Sequence, residues 1–252
     1  MSGFRYGRNA ASFPVGMPWI HRMADLPSAP EVFDHTNGFD HFQMLGNGPD
    51  PTLTVHGGRP VGDCAFVGTS NCCLLDAVET GDPYIPPTSN EIVSTYLTYD
   101  HGQDKGANLT QLLQFWHTHG LPWGGKIEGW ASVDPRNPER FWAACNAFGC
   151  LYIGIAVPAT MDQQVMDGQT LDLTGTEADH QIQGGHCVVV ASRTENGGEL
   201  ITWGQRVPFT QRWADTYIEE AYVVITPQQM AKGGDGYGLN LGGLQDILAG
   251  LH

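Results

Sequence analysis

Residues 62–66 read Gly-Asp-Cys-Ala-Phe, and residues 184–192 read Gly-Gly-His-Cys-Val-Val-Val-Ala-Ser. The first stretch is a turn that delivers a cysteine onto the start of an apolar helix. Phe66, Val67, Leu74, Leu75 and Val78 give the run from Cys64 to Val78 the apolar density of a buried helix. A helix N-terminus carries free N–H groups and the positive end of the dipole. It therefore favours a thiolate at Cys64 and can hold a negative oxygen on a bound carbonyl. The bland alternative is a small buried residue filling the first turn. In the second stretch His186 opens an apolar, β-branched strand, and Gly184 and Gly185 let another backbone approach closely. A hydrogen-bonded structural histidine fits that position too.

Outward from these two points the chain divides by period. Helical signals dominate to about residue 148. Ser89–Tyr99 follows a Pro-Pro-Thr start, and Asn108 precedes Leu109, Leu112, Leu113 and Trp116 at helical spacing. Asn137-Pro138-Glu139 opens a further helix that runs to Phe148 and stops at Gly149. From Cys150 the segments are short, β-branched and bounded by turn residues: CLYIGIAVP, HCVVVAS, ELITWG and EAYVVIT. Glu195-Asn196-Gly197-Gly198 reads as a hairpin turn, Phe209–Tyr217 as a short helix and Leu239–Leu251 as a closing one. Helices first and a mostly antiparallel sheet second make an α+β domain over 61–252, helical over about 61–148 and sheet over about 149–252. Residues 1–60 carry seven prolines between short aromatic pieces, with Trp19, Phe33, Phe39 and Phe42, and read as an extended arm packed on that body.

Composition narrows the partners. With 12 basic against 27 acidic residues the net charge is −15, which repels nucleic acid and anionic membrane surfaces. The start, MSGFRYGRNAASFPVGMPW, lacks the unbroken apolar core of about 7–15 residues of a signal peptide. No apolar run reaches the roughly 18–20 residues of a membrane span. A cytoplasmic or virion-associated location is therefore expected. The six cysteines, Cys64, Cys72, Cys73, Cys145, Cys150 and Cys187, form no CxxC pairs and are expected to be reduced.

A helix-heading cysteine followed far downstream by a strand histidine is the split layout of Cys–His nucleophilic catalysis, with one partner from each lobe. At this point the motif order resembles the papain superfamily of cysteine peptidases: GDC at 62–64, GGH at 184–186, a hairpin, then Thr202-Trp203-Gly204. The chain is also similar to a group of bacterial and phage papain-like proteins. It shares their Tyr6-Gly7-Arg8 start, a Met44-Leu45-Gly46-Asn47 segment and a Glu220-Ala221-Tyr222 strand. The resemblance implies a papain-like fold, with Cys64 as nucleophile and His186 as general base. It implies Asn47 as an oxyanion donor, displaced upstream by the insertion 48–60, since Gly58 stands where papain-like enzymes keep a glutamine. Ile201 falls at the position of the histidine-orienting asparagine, which leaves Thr202 or another polar group for that task. Asp63, Gly185 and Trp203 are expected to line the substrate groove. The activity implied is hydrolysis of a peptide or amide bond in a peptide or protein substrate, with no cofactor and no metal. The alternative is a non-catalytic domain in an assembly, as a homo-oligomer or a phage virion component.

Other clusters carry less. His117 and His119 sit two apart on a helix and point to different sides. Cys72-Cys73 read as core. Gly233-Gly234-Asp235-Gly236 lacks the strand a phosphate loop needs, and Asp34, His35, Asp40 and His41 read as a solvated loop.

Overall fold

The computed structural model of the chain describes residues 7–9, 26–36 and 61–231. A two-residue strand, β1 (Phe33–Asp34), precedes three helices, α1 (Cys64–Thr80), α2 (Ser89–Tyr99) and α3 (Leu109–His119). Then come β2 (Gly129–Val133), α4 (Pro138–Phe148), β3 (Leu151–Pro158), α5 (Met161–Met166), β4 (Ile182–Thr194), β5 (Gly197–Thr202) and β6 (Gln205–Thr210). The described chain ends with α6 (Gln211–Tyr217), β7 (Ile218–Ile225) and α7 (Pro227–Ala231). Among the described residues no helix is long and apolar enough to cross a membrane.

The helix ends follow the capping chemistry in the sequence. Thr88 and Glu91 form a reciprocal capping box on α2. The side chains of Asn108 and Asn137 accept the third amides of α3 and α4, from Gln111 and Arg140. Gly81 ends α1 at a φ of 68°, a left-handed conformation that a Cβ disfavours.

The strands form one antiparallel sheet in the order β2-β7-β3-β4-β5-β6, with β1 added beside the far half of β4. Its two faces are the two cores. Cys187, Val189 and Ala191 of β4 turn towards α1, α2 and α3, with Phe66, Leu112, Leu113 and Trp116. Val188 and Val190 turn the other way, onto Phe141, Trp142 and Phe148 of α4 and Trp213 of α6. This is the period-two alternation of a strand covered on both sides.

The structure departs from the sequence reading between residues 120 and 148. The stretch taken as helical contains β2, which pairs with β7, the last strand in the chain. Its residues Gly-Trp-Ala-Ser-Val are too few to show a period, and the partner that makes them a strand lies ninety-odd residues away. Helix α4 is helical as read, but packs on the far face of the sheet rather than with α1–α3. The closing helix expected over 239–251 and most of the arm over 1–60 lie outside the described residues, as do the glycines at 233–236, Asp40 and His41. The described part of the arm at 26–36 is fastened down. Phe33 and Asp34 pair with Arg193 and Ser192, and Arg206 bridges Asp34 and Glu199.

Helix α1 is buried on nearly every side and lies against β3 and β4. Gly68 is what lets it approach. A Cβ there would stand 2.7 Å from the Tyr152 ring and 3.2 Å from the Cys187 sulfur. Tyr152 cannot swing aside cheaply, because its hydroxyl donates to the Ala65 carbonyl at 2.8 Å. Gly68→Val should therefore destabilise the fold by about 1–3 kcal/mol, the usual range for overpacking, with no gain in helix propensity large enough to offset it. Denaturant unfolding checks this; an unchanged midpoint would contradict the packing described.

Candidate functional site

Cys64 is the first residue of α1, and Asp63 occupies the N-cap position without its side chain capping the helix. The turn before it is tied into the helical lobe, because the Gly62 amide and the Tyr96 hydroxyl both donate to Asp104 Oδ1 at 2.9 Å. The Cys64 sulfur accepts from the backbone amide of Cys187 at 3.4 Å. Cys187 directly follows His186, so the sulfur from the helical lobe meets the sheet lobe one residue from the imidazole.

His186 lies in β4 opposite Ile155 of β3. Its Nε2 is 2.8 Å from Thr202 Oγ1. The strand register explains why Thr202 meets the ring and Ile201 does not. Ile201 pairs with Val189 and shares its face, so its side chain belongs to the helical core. Thr202 turns to the opposite face, the one His186 shares with Val188 and Val190. Beyond Thr202 the β5–β6 hairpin turns at Trp203 and Gly204, both left-handed at φ 49° and 70°. A tryptophan in that region is an uncommon, strained backbone. Its indole stacks on the His186 ring with centroids 5.0 Å apart and an interplanar angle of 13°.

The described start of the arm crosses this point. The Arg8 amide donates to the Gly185 carbonyl at 2.9 Å, on the sheet lobe. On the helical lobe, the Ala107 amide donates to Gly7 O at 2.7 Å and the Asn9 amide to Ala107 O at 2.9 Å. The nearby Gly7 amide pulls the Cys64 thiol downwards in pKa. Gly7 and Gly62 are in van der Waals contact, and a Cβ on Gly7 would stand inside the Gly62 backbone. Under this cover Cys64 and His186 are each only 1% exposed.

Burial sets the protonation of the pair. It pushes the Cys64 thiol up to about 11; the amides of Cys187, Gly7 and Ala65 pull the other way, and Asp63 adds to the rise. The depressed thiol expected from the helix dipole is thus outweighed by desolvation. Burial also lowers His186 to about 3, helped by the nearby Arg8 cation. Asp63, buried and close to Asp104, is raised to about 7. At neutral pH both shifts favour the uncharged forms, a thiol at Cys64 and a neutral imidazole at His186.

Of the residues singled out in the sequence, the structure brings Cys64, His186, Thr202, Trp203, Asp63 and Gly185 to one place. Asn47 and Gly58 lie outside the described residues. His117 is remote and bonds the Ile127 carbonyl, and no group of His, Cys, Asp or Glu among the described residues is arranged for a metal. The sequence reading gave no role to Arg8, Glu219, Glu220 or Gly154; near His186, Arg8 lies over Gly154 and pairs with buried Glu220 and with Glu219 at the rim. The signal was there: adjacent glutamates inside an otherwise apolar strand need a cation.

Helices carrying a cysteine at one N-terminus, packed on an antiparallel sheet carrying a histidine, make this a papain-like fold. Comparison with solved structures agrees. Xylellain, a cysteine protease from Xylella fastidiosa, superposes with a TM-score of 0.67 at 14% identity, over 89% of this chain and 96% of its own. Procathepsin B S9 from Trypanosoma congolense matches with a TM-score of 0.55 at 10% identity, over 87% of this chain and 85% of its own. A cysteine protease from Carica candamarcensis, in complex with E-64, gives 0.50 at 12% identity, over 78% and 99%. At these identities the likeness is one of fold. No family model matches the chain, and no curated protein matches its sequence.

The two displaced groups give opposite pH dependences. Between the usual 6.5 and about 3, the unfolded chain takes up a proton at His186 that the fold refuses, so stability falls with falling pH. Between the usual 3.8 and about 7, the fold keeps a proton on Asp63 that the unfolded chain has released, so stability falls with rising pH. Asp63→Asn should make the loss of Tm from pH 6.5 to pH 4 steeper, and His186→Asn should make it shallower. Calorimetry across that window separates them; parallel curves for both variants and the parent would refute the assignment.

Proposed function

We propose that the chain is a thiol hydrolase that cleaves a peptide or amide bond, with Cys64 as nucleophile, His186 as general base and Thr202 as the residue that orients it. The observation that carries this reading is the His186–Thr202 hydrogen bond at 2.8 Å on the residue next to the one that binds the Cys64 sulfur. Thr202 Oγ1 accepting Nε2–H leaves the Nδ1 lone pair for the thiol proton, the tautomer a general base needs. Cys64 Sγ then forms a bond to the substrate carbonyl carbon as its proton passes to His186. The C–N bond breaks as His186 returns that proton to the leaving amine. Water, deprotonated by His186, adds to the thioester carbonyl carbon; the C–S bond then breaks, the carboxylic acid leaves, and His186 returns the proton to Cys64 Sγ. The Cys64 amide at the helix start and, on the sequence reading, Asn47 would stabilise the oxyanion. No step calls for a cofactor or a metal.

One observation favours the second reading, a non-catalytic papain-like component of an assembly such as a phage particle: nucleophile and base are both covered by Gly7–Asn9. On the hydrolase reading that segment must leave the cleft before a substrate enters.

Peptide and amide substrate libraries, run beside Cys64→Ala, decide between the two. Hydrolysis that Cys64→Ala abolishes is the expected result. Thr202→Val should then lower kcat by roughly 10–10³-fold, less than the cost of losing a triad acid, with little change in KM. Equal turnover by parent and Cys64→Ala would leave the structural reading.

A further inference from the structure

Arg8 lies in a pocket built for its side chain. Its NH1 donates to Glu220 Oε1 at 2.5 Å and its NH2 pairs with Glu219 Oε2. The Arg8 side chain is 3% exposed and that of Glu220 is fully buried, while Glu219 stands at the rim at 43%. The other Glu220 oxygen accepts from the Tyr222 hydroxyl at 2.6 Å. Two glycines cut the space. A Cβ on Gly154 would come within 2.7 Å of both Arg8 Cδ and NH1, and one on Gly185 within 2.8 Å of Arg8 Nε. The backbone that carries this arginine is seated as a peptide between the lobes, bonded to Gly185 on one side and to Ala107 on the other, with Gly7 packed against Gly62, two residues before Cys64.

Any extended peptide in the same place can use the same Gly185 carbonyl and the same Ala107 amide and carbonyl. Its side chain at the Arg8 position then faces Glu219 and Glu220. A neutral side chain would leave Glu220 buried without a cation, which is strongly unfavourable. A lysine offers one point charge, whereas a guanidinium offers a planar fork that reaches both carboxylates. The net charge of −15 also draws basic peptides towards the molecule.

We propose that the pocket of Gly154, Gly185, Glu219 and Glu220 is a subsite for an arginine side chain of the peptide the cleft takes, and that Arg8 is its tethered occupant. The proposal deepens the hydrolase reading and rests on it for the fate of the bound peptide, but not for the binding itself.

The test uses the full chain carrying Arg8→Ala, with Nα-acetyl-arginine amide and its isosteric citrulline counterpart as probes. Calorimetric titration should show the arginine compound binding at least 10-fold more tightly than the citrulline compound. Glu220→Gln in the same background should abolish the difference, and the parent chain should bind either compound more weakly. The arginine compound should also slow alkylation of Cys64 by iodoacetamide in Arg8→Ala, and the citrulline compound should not. Equal binding of the two compounds, or none by a folded variant, overturns the subsite. If Arg8→Ala does not fold, Arg8→Lys carries the same comparison. Failure of both to fold, without rescue by the arginine compound, overturns it too and makes Arg8 a structural clamp. The two readings fail separately. Arginine-selective binding with no cleavage of arginine peptides sinks the hydrolase and leaves the subsite, and cleavage with no arginine preference does the reverse.

Discussion

The structure turns on the alternation of one strand. Along β4, Cys187, Val189 and Ala191 face α1–α3, and Val188 and Val190 face α4 and α6. A shift of one residue would put His186 into the helical core and expel the valines on both sides. The pairings of β4 with β3 and with β5 hold the register, from Leu151↔Val190 on one edge to Val189↔Ile201 on the other. Two features of the site follow from that register. The Cys187 amide is presented to the Cys64 sulfur, and the side chain of Thr202 lands on the face of His186. The site is therefore a consequence of sheet packing that would be needed for stability in any case.

The same geometry sets the chemistry in tension with burial. A helix start favours a thiolate, but the sulfur is removed from water, and desolvation of a charge outweighs a few backbone dipoles. His186 meets the same penalty with a cation added nearby. Burial thus favours the uncharged form of each group, and replacing the cover by solvent would change the protonation energetics as well as access. The strained Trp203 turn belongs to this balance. The hairpin accepts an unfavourable backbone at Trp203, and in return the indole forms a flat wall on the imidazole.

Local chemistry made much of this legible in the sequence. Caps and periodicity give α2, α3 and α4, and the glycine, cysteine and histidine motifs give the positions of Cys64 and His186. What local pattern cannot supply is the partner. β2 is a strand because β7 is beside it, and Thr202 rather than Ile201 meets the ring because of which face each takes in a register fixed by β4. Arg8 and Glu220 stand 212 residues apart, and nothing near either names the other. A buried carboxylate in a strand announces only that a cation must come from somewhere.

That separation bears on how the cleft can open. The segment Gly7–Asn9 holds its place by three backbone hydrogen bonds to the two lobes and one buried ion pair, and a peptide entering the cleft would replace like with like. The exchange is then nearly balanced in contacts. Residues 10–25 join this segment to the stretch at 26–36 that is paired to β4 and held by Arg206. On the proposed hydrolase reading, a substrate would have to reach groups of the cleft that Gly7–Asn9 does not touch, or the hold on Arg8 would first have to be weakened. Glu219 is the exposed member of the ion cluster and the one that solvent, salt or an incoming guanidinium reaches first, whereas Glu220 is sealed until Arg8 has moved.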